Sequence, residues 1–236
     1  MQLQDYYHDN DGDIHFSRQQ GSNFAKEVAG DFNPLHNVDA KRFCIPGDLL
    51  FAVILSKCGL YQKMCFSFAG MVSDDIPLAI RHSADGQMAL VDHHEKSYLS
   101  VEHQGNISHD PNLIRDLVCK YVTFSGHTFP HILVPLMREQ GIMINTDRPL
   151  VIYESMAIDL TRLDITELDL ELSNATLKVS GKRGDVCLEF QLLAAGEIVG
   201  HGKKNFVLSG LRPFDEDKVQ QLVDRYEERK KDFQAE

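Results

Sequence analysis

Residues 47–61 read GDLLFAVILSKCGLY, and from Leu49 to Leu55 no side chain is polar. A helix over this stretch has no face fit for water, because an amphipathic surface helix needs polar residues along one side. It has to be enclosed, and a sheet wrapped around a single helix does that with few elements. Pro46 and Asp48 mark the start of a buried helix of about 14 residues, proline suiting the entry and a carboxylate the first turn.

The next segment of the chain supplies the sheet. Within residues 63–105 the runs MCFSFAGMV, IPLAIRHS, QMALVDHH and SYLSVEH are separated by the turn signals SDD, ADG and EK, which predicts four antiparallel strands in a meander. Upstream, residues 17–30 (SRQQGSNFAKEVAG) place Phe24, Ala25 and Val28 at helical spacing, with Ser17 as N-cap and Gly30 as stop. The order then recurs. Residues 111–121 (PNLIRDLVCKY) are predicted helical, and TFPHILVPLMREQGI is a second apolar stretch that Pro130 and Pro135 would kink or divide. LVIYESMAIDL, DLELSNATLKVSG, VCLEFQLLAAG and EIVGHGKKNFVLSG come after it as strands, with turns at residues 182–185 and 195–197. A period of about 115 residues points to an internal repeat. The tail, with Val219, Leu222, Val223 and Tyr226 on one face, reads as a docking helix.

A chain of 236 residues holds one large domain or two small ones. Its net charge of −11 repels phosphate backbones and anionic membranes, so nucleic acid and membrane are not expected as partners. Lys178, Lys182, Arg183, Lys203 and Lys204 are the candidates for a local basic patch toward an anionic ligand. Five cysteines (Cys44, Cys58, Cys65, Cys119, Cys187) without a CxxC pair suggest reduced thiols and a cytoplasmic setting, with neither disulfides nor zinc. The acidic start MQLQDYYHDNDGDIHF has no signal-peptide pattern, and no apolar run approaches a membrane span.

The chemistry-bearing stretch is GDFNPLH, residues 30–36. A carboxylate is a general base and an imidazole exchanges protons near neutral pH, so a pair sharing one water can deprotonate it and return a proton. Asp31 and His36 lie five residues apart, a spacing that brings them together only through a turn, and Asn33-Pro34 supplies one. The other reading is a structural turn, with Asp31 capping it and His36 bonded to a carbonyl. Elsewhere, His127 and His131 have helical i, i+4 spacing but Pro130 between them, so no metal is expected. His93, His94 and Glu95 read as a solvated turn, and Gly200-His201-Gly202 as a strand position rather than a phosphate loop.

Gly30, Asp31, Asn33, Pro34, Leu35 and His36 match the GDxNPxH signature, and the chain here resembles the MaoC-like hydratases and dehydratases of the hotdog superfamily. The local likeness covers roughly residues 24–55, and beyond it only the order of elements agrees. The resemblance implies an α+β double hotdog, two antiparallel sheets each wrapped around a central apolar helix. Residues 1–109 would form the hotdog carrying the motif; residues 110–236 would form a second one without it, ending in the docking helix. It further implies interconversion of 2-enoyl and 3-hydroxyacyl thioesters, with Asp31 activating water, His36 holding it and assisting proton transfer, and Asn33 orienting the pair. The backbone N–H groups of Gly47 and Asp48 match the family's oxyanion position. Coenzyme A or acyl carrier protein would carry the substrate, no separate cofactor or metal is implied, and a homodimer is open to this fold. In this sequence Gly47-Asp48 stands where the family has His-Gly, which places a carboxylate at the helix start: either it caps the helix or it intrudes on the oxyanion position. Two alternatives arise from this, a catalytically idle hotdog module that binds acyl thioesters or a protein partner, and an acyl-CoA thioesterase using Asp48.

Overall fold

The computed structural model describes residues 1–74, 76–84 and 86–235. Asp75 and Asp85, one residue of each of the SDD and ADG turn signals, lie outside the described residues, as does Glu236. The strands are β1 (His8–Asn10), β2 (Asp13–His15), β3 (Leu60–Phe68), β4 (Leu78–His82), β5 (Met88–Asp92), β6 (Ser97–Ser108), β7 (Ile142–Met143), β8 (Val151–Leu160), β9 (Leu168–Ser180), β10 (Arg183–Ala194), β11 (Glu197–Ser209) and β12 (Arg212–Pro213). The helices are α1 (Arg18–Asn23), α2 (Gly47–Cys58), α3 (Pro111–Gly126), α4 (Thr128–His131), α5 (Leu133–Glu139) and α6 (Glu216–Ala235).

Ten strands form one antiparallel sheet in the order β1-β2-β4-β5-β6-β3-β8-β11-β10-β9, and β12 pairs with β7 in a small second one. In place of the two separate sheets that the resemblance implies, β3 and β8 pair, Lys63–Ser67 against Ser155–Asp159, and join them. Each is otherwise a terminal strand with unpaired ladder groups, and pairing satisfies both at once. Outward from this junction both sides run alike, first strand, then fourth, third and second (β3, β6, β5, β4 and β8, β11, β10, β9). The repeat thus extends to topology, but neither side is a plain meander, because each first strand lies beside its fourth.

Helix α2 is buried continuously from Asp48 to Leu55. Phe66, Leu90, Leu99 and Val101 of the sheet close one side of it, and Leu3, Ile14, Phe16 and Phe24 of the amino-terminal segment lie in the same core. Helix α3 shares that core through Tyr121, whose ring is 5.0 Å from that of Phe51 and 5.7 Å from that of Phe190. A second cluster joins Leu133, Val134 and Met137 of α5 to Val186, Leu188, Phe206 and Leu208 of the sheet and to Val219 of α6. The helix expected over residues 111–121 runs on to Gly126, while the stretch with Pro130 and Pro135 is divided into α4 and α5. Proline lacks an N–H and its ring crowds the preceding turn, which accounts for the break.

Candidate functional site

The segment entering GDFNPLH folds as its residues dictate. Ser17 accepts from Gln20 N and the Gln20 side chain accepts from Ser17 N, a complete capping box for α1. The helix passes into a π-turn at Phe24–Ala29 and stops at Gly30, where φ is 65°, a left-handed conformation that glycine adopts without strain. Asp31 N then donates back to Ala25 O at 2.8 Å. Asp31 Oδ1 accepts from Asn33 N at 2.9 Å, and Asn33 Oδ1 accepts from Leu35 N at 3.1 Å, capping a 3-10 turn that begins at Pro34. Asn33 therefore shapes the backbone between the two candidate residues.

This turn brings His36 Nε2 to 3.7 Å from Asp31 Oδ2. The other ring nitrogen, Nδ1, lies 2.7 Å from the carbonyl oxygen of Cys44. A carbonyl only accepts, so Nδ1 carries the hydrogen, and in the neutral form of the ring it is the Nε2 lone pair that faces Asp31. Two acceptors at this separation do not bond to each other. They suit one water placed about 2.8 Å from both, donating a hydrogen to each. The Asp31 and His36 side chains are 28% and 13% exposed, so the pair is reachable but largely enclosed.

A residue far along the chain holds the motif in place. Tyr226 of α6 donates its hydroxyl to Gly30 O at 3.0 Å and accepts from Phe32 N at 3.3 Å, and the same oxygen lies 3.4 Å from Gly126 O. Its ring packs edge-on to Phe32 and Phe129, with centroids 5.9 and 5.2 Å away. Burial, and then the Asp31 carboxylate nearby, push the Tyr226 hydroxyl well above its ordinary pKa, so it stays a donor.

Asp48 neither caps α2 nor faces solvent. Its Oδ2 accepts the hydroxyl of Ser125 at the end of α3, and Ser125 Oγ accepts from Nζ of Lys204 on β11. Asp48, Ser125 and Lys204 are all buried, and Asp48 Oδ1 has no hydrogen-bond partner among the described residues. Burial raises the Asp48 pKa and outweighs the Lys204 ammonium and the Ser125 hydroxyl, which lower it; Asp31 raises it and His36 lowers it, so Asp48 lies within electrostatic reach of both. Gly47 is covered by the stacked rings of Phe68 and Tyr153, and a Cβ there would fall 2.9 Å from Tyr153 Cδ1. The N–H groups of Gly47 and Asp48 belong to the first turn of α2, which has no intrahelical acceptor for them.

Leu49 to Leu55 are core. Of the basic candidates, Arg183 is paired with Glu154 and Asp185 and Lys203 with Glu189, Lys178 and Lys182 are exposed, and Lys204 is buried away from the surface. His127 and His131 face each other edge-on at 6.1 Å, and among the described residues no group of three or more His, Cys, Asp or Glu is placed to hold a metal. They line a groove of about 690 Å³ between α3 and β9, separate from Asp31 and His36. Gly202 lies on β11 beneath the Phe190 ring. No helix among the described residues is long and apolar enough to cross a membrane.

Residues 1–217 match a family model described as "Protein of unknown function (DUF3581)". The chain belongs to the DUF3581 family. Its match ends at the first turn of α6, before Tyr226. No curated protein matches the chain. Among solved structures, an acyl-CoA thioesterase II from Mycobacterium marinum is similar at 15% identity, covering 91% of this chain and 98% of that one, with a TM-score of 0.42. A MaoC-like dehydratase is similar at 9% identity over 86% of this chain and 98% of its own, with a TM-score of 0.42. The full-length peroxisomal multifunctional enzyme type 2 from Drosophila melanogaster gives 9% identity over 82% of this chain and 47% of its own, with a TM-score of 0.45. Likeness at this level assigns no residue a role.

Proposed function

We propose that the chain is a double hotdog that adds water across the double bond of a 2-enoyl thioester, and removes it again, at Asp31 and His36. The observation that carries this reading is the 3.7 Å separation of two lone-pair-bearing atoms, Asp31 Oδ2 and His36 Nε2, on a turn held by the bonds of Asp31, Asn33 and His36 and anchored by Tyr226. Residues 1–109 supply the pair and α2; residues 110–236 cover them through α3, β8 and α6. Asp31 takes a proton from the shared water as its oxygen bonds to C3 of the substrate, His36 holds the water and assists the transfer, and a proton returns to C2. The thioester oxygen gains negative charge between these steps, and the amides of Gly47 and Asp48 at the start of α2 are the donors suited to it. The substrate is carried by coenzyme A or acyl carrier protein, and the working setting is cytoplasmic.

The test is direct. Purified protein is mixed with crotonyl-CoA and longer enoyl-CoAs, following loss of the conjugated double bond and release of free thiol. Hydration is expected, and Asp31→Asn and His36→Ala should each lower kcat by about 10²- to 10⁴-fold, the usual worth of a general acid–base group. The Asp48–Ser125 bond favours one second reading, a thioesterase, in which free thiol appears and is lost in Asp48→Asn. Acyl-thioester binding without turnover marks an idle module and overturns both.

A further inference from the structure

Three elements meet beside the candidate pair. Gly126, at the end of α3, is pressed so closely on the motif segment that a Cβ there would fall 1.9 Å from Ala29 O. Ser125 is thereby fixed against the chain entering Gly30-Asp31, and its hydroxyl reaches Asp48 at the start of α2. From the far side, β11 directs Lys204 inward onto Ser125, its Nζ also 4.5 Å from the centre of the Tyr153 ring. Tyr153 of β8 bonds through its hydroxyl to that of Tyr121 of α3, which completes the polar surroundings.

Such an arrangement is poorly explained by stability. A buried carboxylate and ammonium, here linked only through the Ser125 hydroxyl, both lose hydration, and replacing such buried charges with apolar side chains of similar volume is often neutral or favourable. Here the Asp48 carboxylate is in addition incompletely paired: Oδ2 accepts from Ser125, while Oδ1 forms no hydrogen bond of good geometry and has the Tyr153 hydroxyl as the remaining donor in reach. A carboxylate near an oxygen that becomes negative would also oppose the reaction unless a cation offsets it.

We propose that Lys204, acting through Ser125 on Asp48, is a positioning residue of the candidate site: residues 110–236 supply the cation that lets a carboxylate sit at the start of α2 beside Asp31 and His36. The chain of contacts sets the charge and the place of Asp48 without touching substrate. As a statement about the hydration reaction it rests on the function proposed above. The charged and titratable groups facing Asp48 are Asp31 and His36 from the motif, Tyr121 from α3, Tyr153 from β8 and Lys204 from β11.

Two measurements test it. The His36 ring is titrated by NMR in the native protein, in Asp48→Asn and in the double variant Asp48→Asn/Lys204→Met. Asp48→Asn leaves the Lys204 cation unbalanced, which disfavours the imidazolium and should move the His36 midpoint down; the double variant restores neutrality and should return it. In hydration kinetics, Lys204→Met should lower kcat by about 10- to 100-fold, the scale of a misplaced site, with KM little changed. The double variant should recover kcat to within about threefold of the native value, because the amide oxygen that Asp48→Asn introduces can still accept from Ser125 and needs no cation. The proposal is overturned if Asp48→Asn leaves the His36 titration in place, if Lys204→Met keeps native kcat, or if the double variant is no better than Lys204→Met. A native protein that hydrates no enoyl thioester sinks the assigned reaction alone, and the NMR arm then still decides whether the chain of contacts acts on the pair.

Discussion

Helices α2 and α3 share one core, yet their burial differs in kind. In α2 every residue from Asp48 to Leu55 is buried; in α3 burial follows a stripe, Leu113, Ile114, Leu117, Val118, Tyr121, Val122, Ser125 and Gly126. The first helix is enclosed and the second covers it, with a polar face left to water. An enclosed helix cannot shift without disturbing the whole core, so its first turn is a rigid place to build a site. A covering helix can end in polar groups, and α3 ends in Ser125 and Gly126 against that first turn and the motif.

Removing a large side chain from each helix puts this contrast to the test. Phe51→Ala empties a site between the rings of Phe66 and Tyr121 and should cost about 3–5 kcal/mol in denaturant unfolding, whereas Lys120→Ala on the outer face of α3, which gives up only an exposed ion pair with Asp169, should cost less than about 1 kcal/mol. Similar costs would mean that α3 is held as tightly all round as α2. Gly126→Ala should come next, at about 3 kcal/mol, since its Cβ meets a backbone carbonyl rather than a flexible side chain. Its hydration rate should fall with stability, as Gly30 and Asp31 are displaced together. A stable, fully active Gly126→Ala protein would show that α3 does not fix the motif.

The local half of this arrangement was legible in the sequence and the distant half was not. The Gly30 stop, the Asn33-Pro34 turn and the approach of Asp31 to His36 depend on residues within a few positions of one another, so spacing and turn chemistry reveal them. The enclosed α2 and the eight long strands follow from apolar pattern in the same way. The partners of Asp48 do not: Ser125 is 77 residues away in sequence and Lys204 a further 79. A signal for Lys204 did exist, since strand alternation puts it in phase with the inward-facing Gly202 and Phe206 while Lys203 points out. Without that phase, it passes for surface charge. The junction of β3 with β8 was hidden for a different reason, as either strand could have been an edge and only the pairing of the two repeats decides.

A smaller effect than those of Phe51→Ala and Gly126→Ala is expected at Tyr226, which ties the enclosed and the covering parts together from outside both. Its hydroxyl reaches Gly30 O, Phe32 N and Gly126 O at once, from 196 positions along the chain in the first case. Tyr226→Phe keeps the ring packing on Phe32 and Phe129 and removes only that oxygen. The expected loss is about 1 kcal/mol of stability, the net worth of a hydrogen bond, with Phe32 N losing an acceptor in a buried place. Because Gly30 and Phe32 flank Asp31, kcat for hydration should fall several-fold while KM holds, a split that general destabilisation does not produce below the melting range. Unchanged kcat together with unchanged stability would mean that the motif turn holds its shape on the Asn33 and Asp31 bonds alone, and that α6 merely rests on it.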